Sequence, residues 1–236
     1  MEQSFGKGVP SDKITLIPVW ADPDSIQPLP KDNAFRNEHG LNGKFVVLYA
    51  GNLGHTSALE EVVGSAEILQ KTAGVRFVIV GEGVKKAALE EQARKKGLGN
   101  ILFLPFQPRG TFAEVLAAGD VSLVTLNSNS SETSFPSKIF NIMASARPIV
   151  AVARPGSEIA NLVKESKCGI VVRPEHPELL AEAILYMRQE VGLLCEMGRN
   201  GLAQVATRFS RAHCVERYDH MLQRVGMKGN GKQHVL

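Results

Sequence analysis

Three short stretches combine glycine, lysine and small polar side chains in ways that could hold a phosphate. The run YAGNLG, residues 49–54, closes an apolar segment with Gly51 and Gly54 flanking Asn52. The run VGEG, residues 80–83, repeats the device with Gly81 and Gly83 around Glu82. Glycines at a strand-to-helix turn let backbone N–H groups approach a phosphate closely, and the following helix adds its partial positive charge. Neither turn is G-x-G-x-x-G or the Walker pattern, so a bare tight turn is the alternative at each. The third stretch, ETSFPSKIFNIMASARPIV over 132–150, predicts a short helix that Pro136 and Ser137 begin, with Ser137 as N-cap. Ile139, Phe140 and Met143 supply its buried side, while Lys138, Asn141 and Ser145 fall on one polar stripe at i, i+3 and i+7. A lysine in a first helical turn runs against the dipole preference for acids there. It makes sense if a polyanion is held between the amine and the helix end.

Two further loops extend this rim. LNSNSSETSFPSK, from 126 to 138, is longer than a strand-to-helix turn requires, and long loops in compact domains often carry function. PFQPRG, from 105 to 110, offers Phe106 and Gln107 as a flat wall for a base, or is a proline-stiffened loop and nothing more.

The elements that must position these loops are legible as alternation. FVVLYA at 45–50, RFVIV at 76–80, ILFL at 101–104, VSLVTL at 121–126, PIVAV at 148–152 and GIVV at 169–172 read as short buried strands, apolar on both faces. Helical stripes lie between and after them: Leu59, Val62, Val63, Ala66 and Leu69; Leu180, Ala183, Ile184 and Met187; Val215, Tyr218, Leu222 and Val225. Six alternations predict an α/β fold, a doubly wound parallel sheet of Rossmann-like type with right-handed crossovers, over residues 41–225. Ligands of such sheets bind beyond the carboxyl ends of the strands, where strand order reverses. Residues 1–40, punctuated by prolines, read as an interdomain connector in which ITLIPVW could be one strand, and 226–236 as a disordered tail. A connector opening on an isolated strand suggests the C-terminal part of something larger.

Composition narrows the function classes. The 236 residues are 44% hydrophobic and 22% charged, with a formal charge of +3, one Trp and three Tyr, so a nucleic-acid surface is not indicated. Cys168, Cys195 and Cys214 are widely spaced and form no C-x-x-C, which points to reduced thiols and a cytoplasmic protein. No apolar run approaches the ~20 residues of a membrane span. From Arg199 onward seven Lys or Arg face two acids, so contact with an anionic membrane face stays open beside the plainer reading of a solvated helix.

Taken in order, YAGNLG, VGEG, NILFLPFQP, FPSKIFNIMASARPIVA, GSEIANLV and CGIVV resemble the C-terminal, donor-binding half of the GT-B fold in retaining family 4 (group 1) glycosyltransferases. The P-S-K-x-F-x-x-M-A-S version looks like bacterial surface-polysaccharide enzymes of the colanic acid and O-antigen type, and the likeness runs from Pro18 to about Tyr218. The resemblance implies a nucleotide-sugar donor, with UDP the expected nucleotide, held in a cleft against a second, N-terminal domain that would bring a glycan or lipid-linked acceptor. It implies that Gly51, Asn52 and Gly54 face the diphosphate, that Gly81, Glu82 and Gly83 form a neighbouring wall, and that Phe106 and Gln107 face the base. Glu132, Thr133 and Ser134 match the loop touching the sugar, Ser137 and Lys138 the phosphate end, and Asn141 the place where a family glutamate bonds the ribose. The sequence departs from the family at two points. Asn52 stands where many relatives have a phosphate-binding arginine, with no lysine following. The paired pattern E-x7-E is broken, because Thr133 lies eight before Asn141 and Glu132 is one step off.

The chemistry implied is departure of a diphosphate from an anomeric carbon, stabilised by amides, a helix end and Lys138 as catalytic cation, with Glu132 beside the sugar. No D-x-D stands at a strand end, so no metal and no other cofactor is expected. The fragment alone should bind donor weakly and turn over little. A sugar-nucleotide epimerase of the same shape is one rival, needing an acid and a base that His39, His55, His176, His213 and His220 do not supply by evident clustering. A non-catalytic nucleotide-binding module is the other.

Overall fold

The structure is a computed structural model that describes residues 10, 13–21, 26–131 and 134–229. Six strands form one parallel sheet: β1 (Phe45–Ala50), β2 (Val75–Val80), β3 (Ile101–Leu104), β4 (Val121–Thr125), β5 (Ile149–Val152) and β6 (Gly169–Val172). Their order is β3-β2-β1-β4-β5-β6, so the winding reverses between β1 and β4. The middle strands β1, β4 and β5 are buried along nearly their whole length, as their unbroken apolar runs require.

The helices follow the alternation: α1 (Ala34–Glu38), α2 (Leu59–Ile68), α3 (Lys86–Lys95), α4 (Phe112–Ala118), α5 (Lys138–Ala144), α6 (Glu158–Glu165), α7 (Pro177–Gln189), α8 (Val191–Thr207) and α9 (Arg211–Gly229). Successive strand side chains point to opposite faces, and the core splits accordingly. Val46 and Leu48 of β1 join Leu116, Ile139, Phe140, Met143 and Ile159, from α4, α5 and α6, on one face. Val47 and Tyr49 join Leu59, Val62, Leu89 and Ile184, from α2, α3 and α7, on the other.

At the amino end of the sheet a buried ion pair ties the layers. Arg36, 1% exposed, donates to Asp120 Oδ2 at 2.5 Å and through Nε to the Ala118 carbonyl at 2.8 Å. The Val46 amide also donates to Asp120 Oδ2, and Lys31 bonds Oδ1, so the carboxylate is satisfied on both oxygens. These partners fix α1 and β1 to the α4–β4 corner, far from the rim at the carboxyl ends of the strands.

Two expectations are corrected. ITLIPVW forms no regular strand; residues 14–20 are irregular, and Ala21 makes a single parallel bridge to Ser210. Pro18 lacks the N–H that a ladder would need. The stripe Val215, Tyr218, Leu222 and Val225 falls on a helix, α9, as expected, with the four residues 44–61% exposed. That helix runs to Gly229, so residues 226–229 are helical where a tail from 226 was expected, because the single glycine at 226 weakens a helix without ending it; residues 230–236 lie outside the described residues, as do 1–9, 11–12 and 22–25 of the expected connector.

Candidate functional site

β1 and β4 pair only at Val47–Val121 and Leu48–Ser122. Beyond these, Tyr49 and Ala50 have no partner on β4, so the strands part toward their carboxyl ends and leave a crevice at the reversal point. The β1–α2 turn and the long β4–α5 loop form its lips. They are tied together: the Asn127 amide donates to the Thr56 carbonyl at 3.0 Å and its side chain to the His55 carbonyl at 2.6 Å.

The two glycine turns meet. The Leu53 amide donates to the Glu82 carbonyl at 2.8 Å and the Lys85 amide to the Leu53 carbonyl at 3.0 Å. Gly81, at φ 154°, faces the Gly51 carbonyl so closely that a Cβ would overlap its oxygen. Gly83, at φ 150°, would set a Cβ 2.5 Å from the Leu53 carbonyl oxygen and 2.8 Å from Asn52 Oδ1. Both positions therefore demand glycine for conformation and for space. The contact also spends amides. Gly51 and Gly81 donate to Val80 and Leu104, whereas among the described residues Asn52, Gly54, His55 and Thr56 donate no backbone hydrogen bond. Those four lead into α2, whose N-cap, Ala58, supplies no side-chain bond.

Lys138 lies at the centre. Its helix packs on one face of the sheet, yet its Nζ sits 3.5 Å from the centroid of the Tyr49 ring, which belongs to the core of the other face. The amine thus crosses the rim at the crevice, and a Cβ on Gly51 would stand 3.2 Å from it. Burial of the amine pulls its pKa down from 10.5 to about 7. Burial pushes the Tyr49 hydroxyl up to about 12, so it stays neutral while donating to the Asn52 carbonyl at 2.7 Å.

Residues 44–190 match the family described as Glycosyl transferases group 1, more than half of the 236 residues. The chain belongs to this family. It is 31% identical over 188 residues to the putative colanic acid biosynthesis glycosyl transferase WcaI of Escherichia coli (strain K12), covering 78% of this chain and 46% of that protein. Among solved structures, Anabaena Alr3699/HepE in complex with UDP-glucose superposes with a TM-score of 0.78 at 18% identity, over 94% of this chain and 60% of that one. The C-terminal domain of the group 1 family protein LpcC from Francisella tularensis gives 0.66 at 20%, over 81% of this chain and 99% of that domain. These neighbours share the GT-B Rossmann-like fold. The chain spans about half the length of the curated relatives it matches.

In this member of the group 1 family the expected residues are unevenly gathered. Gly51, Asn52, Gly54, Gly81, Glu82, Gly83 and Lys138 converge on the crevice, with Glu82 turned to an exposed ion pair with Lys86 at 2.6 Å. Asn141, one turn beyond Lys138, is half-buried and its amide has no partner among the described residues. Ser134 stands in the β4–α5 loop, its amide bonded to the Ser130 carbonyl. Phe106 is exposed and Gln107 donates to the Pro105 carbonyl, both on the loop after β3, two strands away from β1. Glu132 and Thr133 lie outside the described residues. Ser145 leaves the expected stripe: it is fully buried and bonds the Ile142 carbonyl. Ser137 occupies the N-cap position without a capping bond, because its own backbone is already helical. The residue pattern alone does not single out Tyr49 or Asn127. A tyrosine closing an apolar strand reads as core, and an asparagine in a polar run has no distinguishing spacing.

Among the described residues no group of three or more His, Cys, Asp or Glu could hold a metal ion. The histidines stay apart: His39 packs edge-on to Phe35, His176 bonds Glu178, and His213 and His220 lie on α9. No helix among the described residues is long and apolar enough to cross a membrane.

Proposed function

We propose that this chain is the donor-binding unit of a glycosyltransferase that moves a sugar from a nucleotide-sugar, of UDP type, to a glycan or lipid-linked acceptor in bacterial polysaccharide synthesis. One observation carries the reading: the Lys138 amine projects across the sheet rim onto the glycine turn at the point where the winding reverses. As the anomeric C–O bond breaks, positive charge grows on the sugar ring and negative charge on the departing diphosphate. The Lys138 ammonium and the undonated amides of Asn52, Gly54, His55 and Thr56 meet that charge, aided by the α2 N-terminus. Such groups, fixed before the reaction, suit a leaving group handled without a metal. α5 is only two turns long, so its own end dipole contributes little. On the family resemblance Asn141 is assigned to the ribose, Gly83 to the neighbouring wall, and Ser134, with Glu132 and Thr133, to the sugar.

The UDP assignment draws on HepE, which was solved with UDP-glucose, and the polysaccharide setting on the likeness to WcaI. A cytoplasmic location, with basic α9 able to approach an anionic membrane face, belongs to the same reading. The relatives this chain matches are about twice as long, and the acceptor with any base serving it is assigned to the half of them that this chain does not span, so turnover by the chain alone is expected to be small. Calorimetric titration with a panel of UDP- and GDP-sugars tests the reading. Saturable binding of a UDP compound is expected, and no binding across the panel would leave a module of another kind. The scattered histidines weigh against the epimerase alternative, which needs an acid and a base in one cleft.

A further inference from the structure

We propose that Tyr49 is a positioning residue for Lys138: its ring face carries the ammonium across the sheet rim, and its hydroxyl holds the Asn52 turn that the same amine addresses. The proposal rests on the donor-binding reading for its consequence, and on geometry for itself. The Nζ stands 3.5 Å from the ring centroid, within the range where the negative ring face attracts a cation. The hydroxyl donates to the Asn52 carbonyl at 2.7 Å, so one side chain grips both the cation and the turn. Without the ring, nothing else among the described residues is placed to compensate the ammonium: burial lowers its pKa, and no carboxylate among the described residues pairs with it. A long, flexible lysine stem would otherwise turn outward to keep its charge hydrated. The tyrosine stays neutral beside it throughout the physiological range, so the pair has one titrating member. Gly51 closes the far side, since any side chain there would displace the amine.

The test compares Tyr49→Phe, which keeps the ring, with Tyr49→Leu, which removes it, each with and without Lys138→Met. Acylation of Lys138 by acetic anhydride, read by peptide mass spectrometry without nucleotide, reports the ring contact. Tyr49→Phe should react as the wild type does, and Tyr49→Leu several-fold faster. Equal change in both, or in neither, overturns the proposal whether or not nucleotide binds. UDP titration of the same four proteins reports the consequence: Tyr49→Leu should weaken binding by about 3- to 30-fold in the lysine protein, the worth of a cation–π contact, and have no effect once Lys138 is methionine. An equal loss in both backgrounds would mark Tyr49 as merely structural and sink the proposal. Absence of UDP binding to the wild type would instead count against the donor-binding reading, leaving the acylation result to decide the role of Tyr49. Far-UV circular dichroism confirms that each variant folds.

Discussion

A lysine amine held in a desolvated rim has two measurable consequences. The first concerns stability. The Lys138 pKa falls from 10.5 to about 7 in the folded chain, so between those values the unfolded chain binds more protons. Stability must then rise with pH across that window, by up to about 1.4 kcal/mol per pH unit, with solvent contact of a half-buried side chain reducing the figure. Lys138→Met removes this dependence. Chemical denaturation should find the variant more stable than the wild type below pH 7, with the gap closing toward pH 10. The second consequence concerns the ligand. UDP should bind more weakly as pH rises above about 7, by up to about tenfold per unit, because a proton must then be taken up on binding. Calorimetry in buffers of different ionisation enthalpy reads that uptake. At this scale the sequence was partly legible: a lysine in a first turn is against the dipole rule, and that conflict marked Lys138. The partner that holds it was not, since Tyr49 and Lys138 are 89 residues apart by number and share no local pattern.

At the scale of elements, the two glycine turns behave as one structure. Gly81→Ala should cost about 2 kcal/mol or more, because a Cβ meets the Gly51 backbone where nothing flexible can yield. Gly97→Ala is the control: φ is 64° but no atom lies within 4 Å, so only the left-handed strain of about 1 kcal/mol applies. Urea unfolding separates the two, and the Gly81 variant should also lose UDP binding at a denaturant concentration where it is folded. The strands and most helices were readable because burial on both faces leaves continuous apolar runs, and β1 to β6 fall within a residue of the runs that announced them. The exposure of the α9 stripe was not. Periodicity reports an amphipathic helix and is silent on what covers its apolar side.

Across the whole molecule, the proposed donor site and the strongest buried ion pair sit at opposite ends of the sheet. The carboxyl rim carries the turns and Lys138, whereas the amino end carries the Arg36–Asp120 pair with its four further hydrogen bonds. Asp120→Ala leaves the buried guanidinium with the exposed Asp32, 3.7 Å away, in place of its close buried carboxylate, and should cost about 3–5 kcal/mol. UDP affinity of the protein that remains folded should be unchanged, since Asp120 lies at the far end of β4 from the crevice. Matching loss of stability without loss of affinity, and of affinity without loss of stability at Lys138, would show the division directly. The proposed role of the carboxyl rim is decided by where a diphosphate settles. A crystal of this chain soaked with UDP should show phosphate oxygens within hydrogen-bond reach of Lys138 Nζ and of the Asn52 or Gly54 amides. UDP bound elsewhere, with the amine still resting on Tyr49, would contradict it.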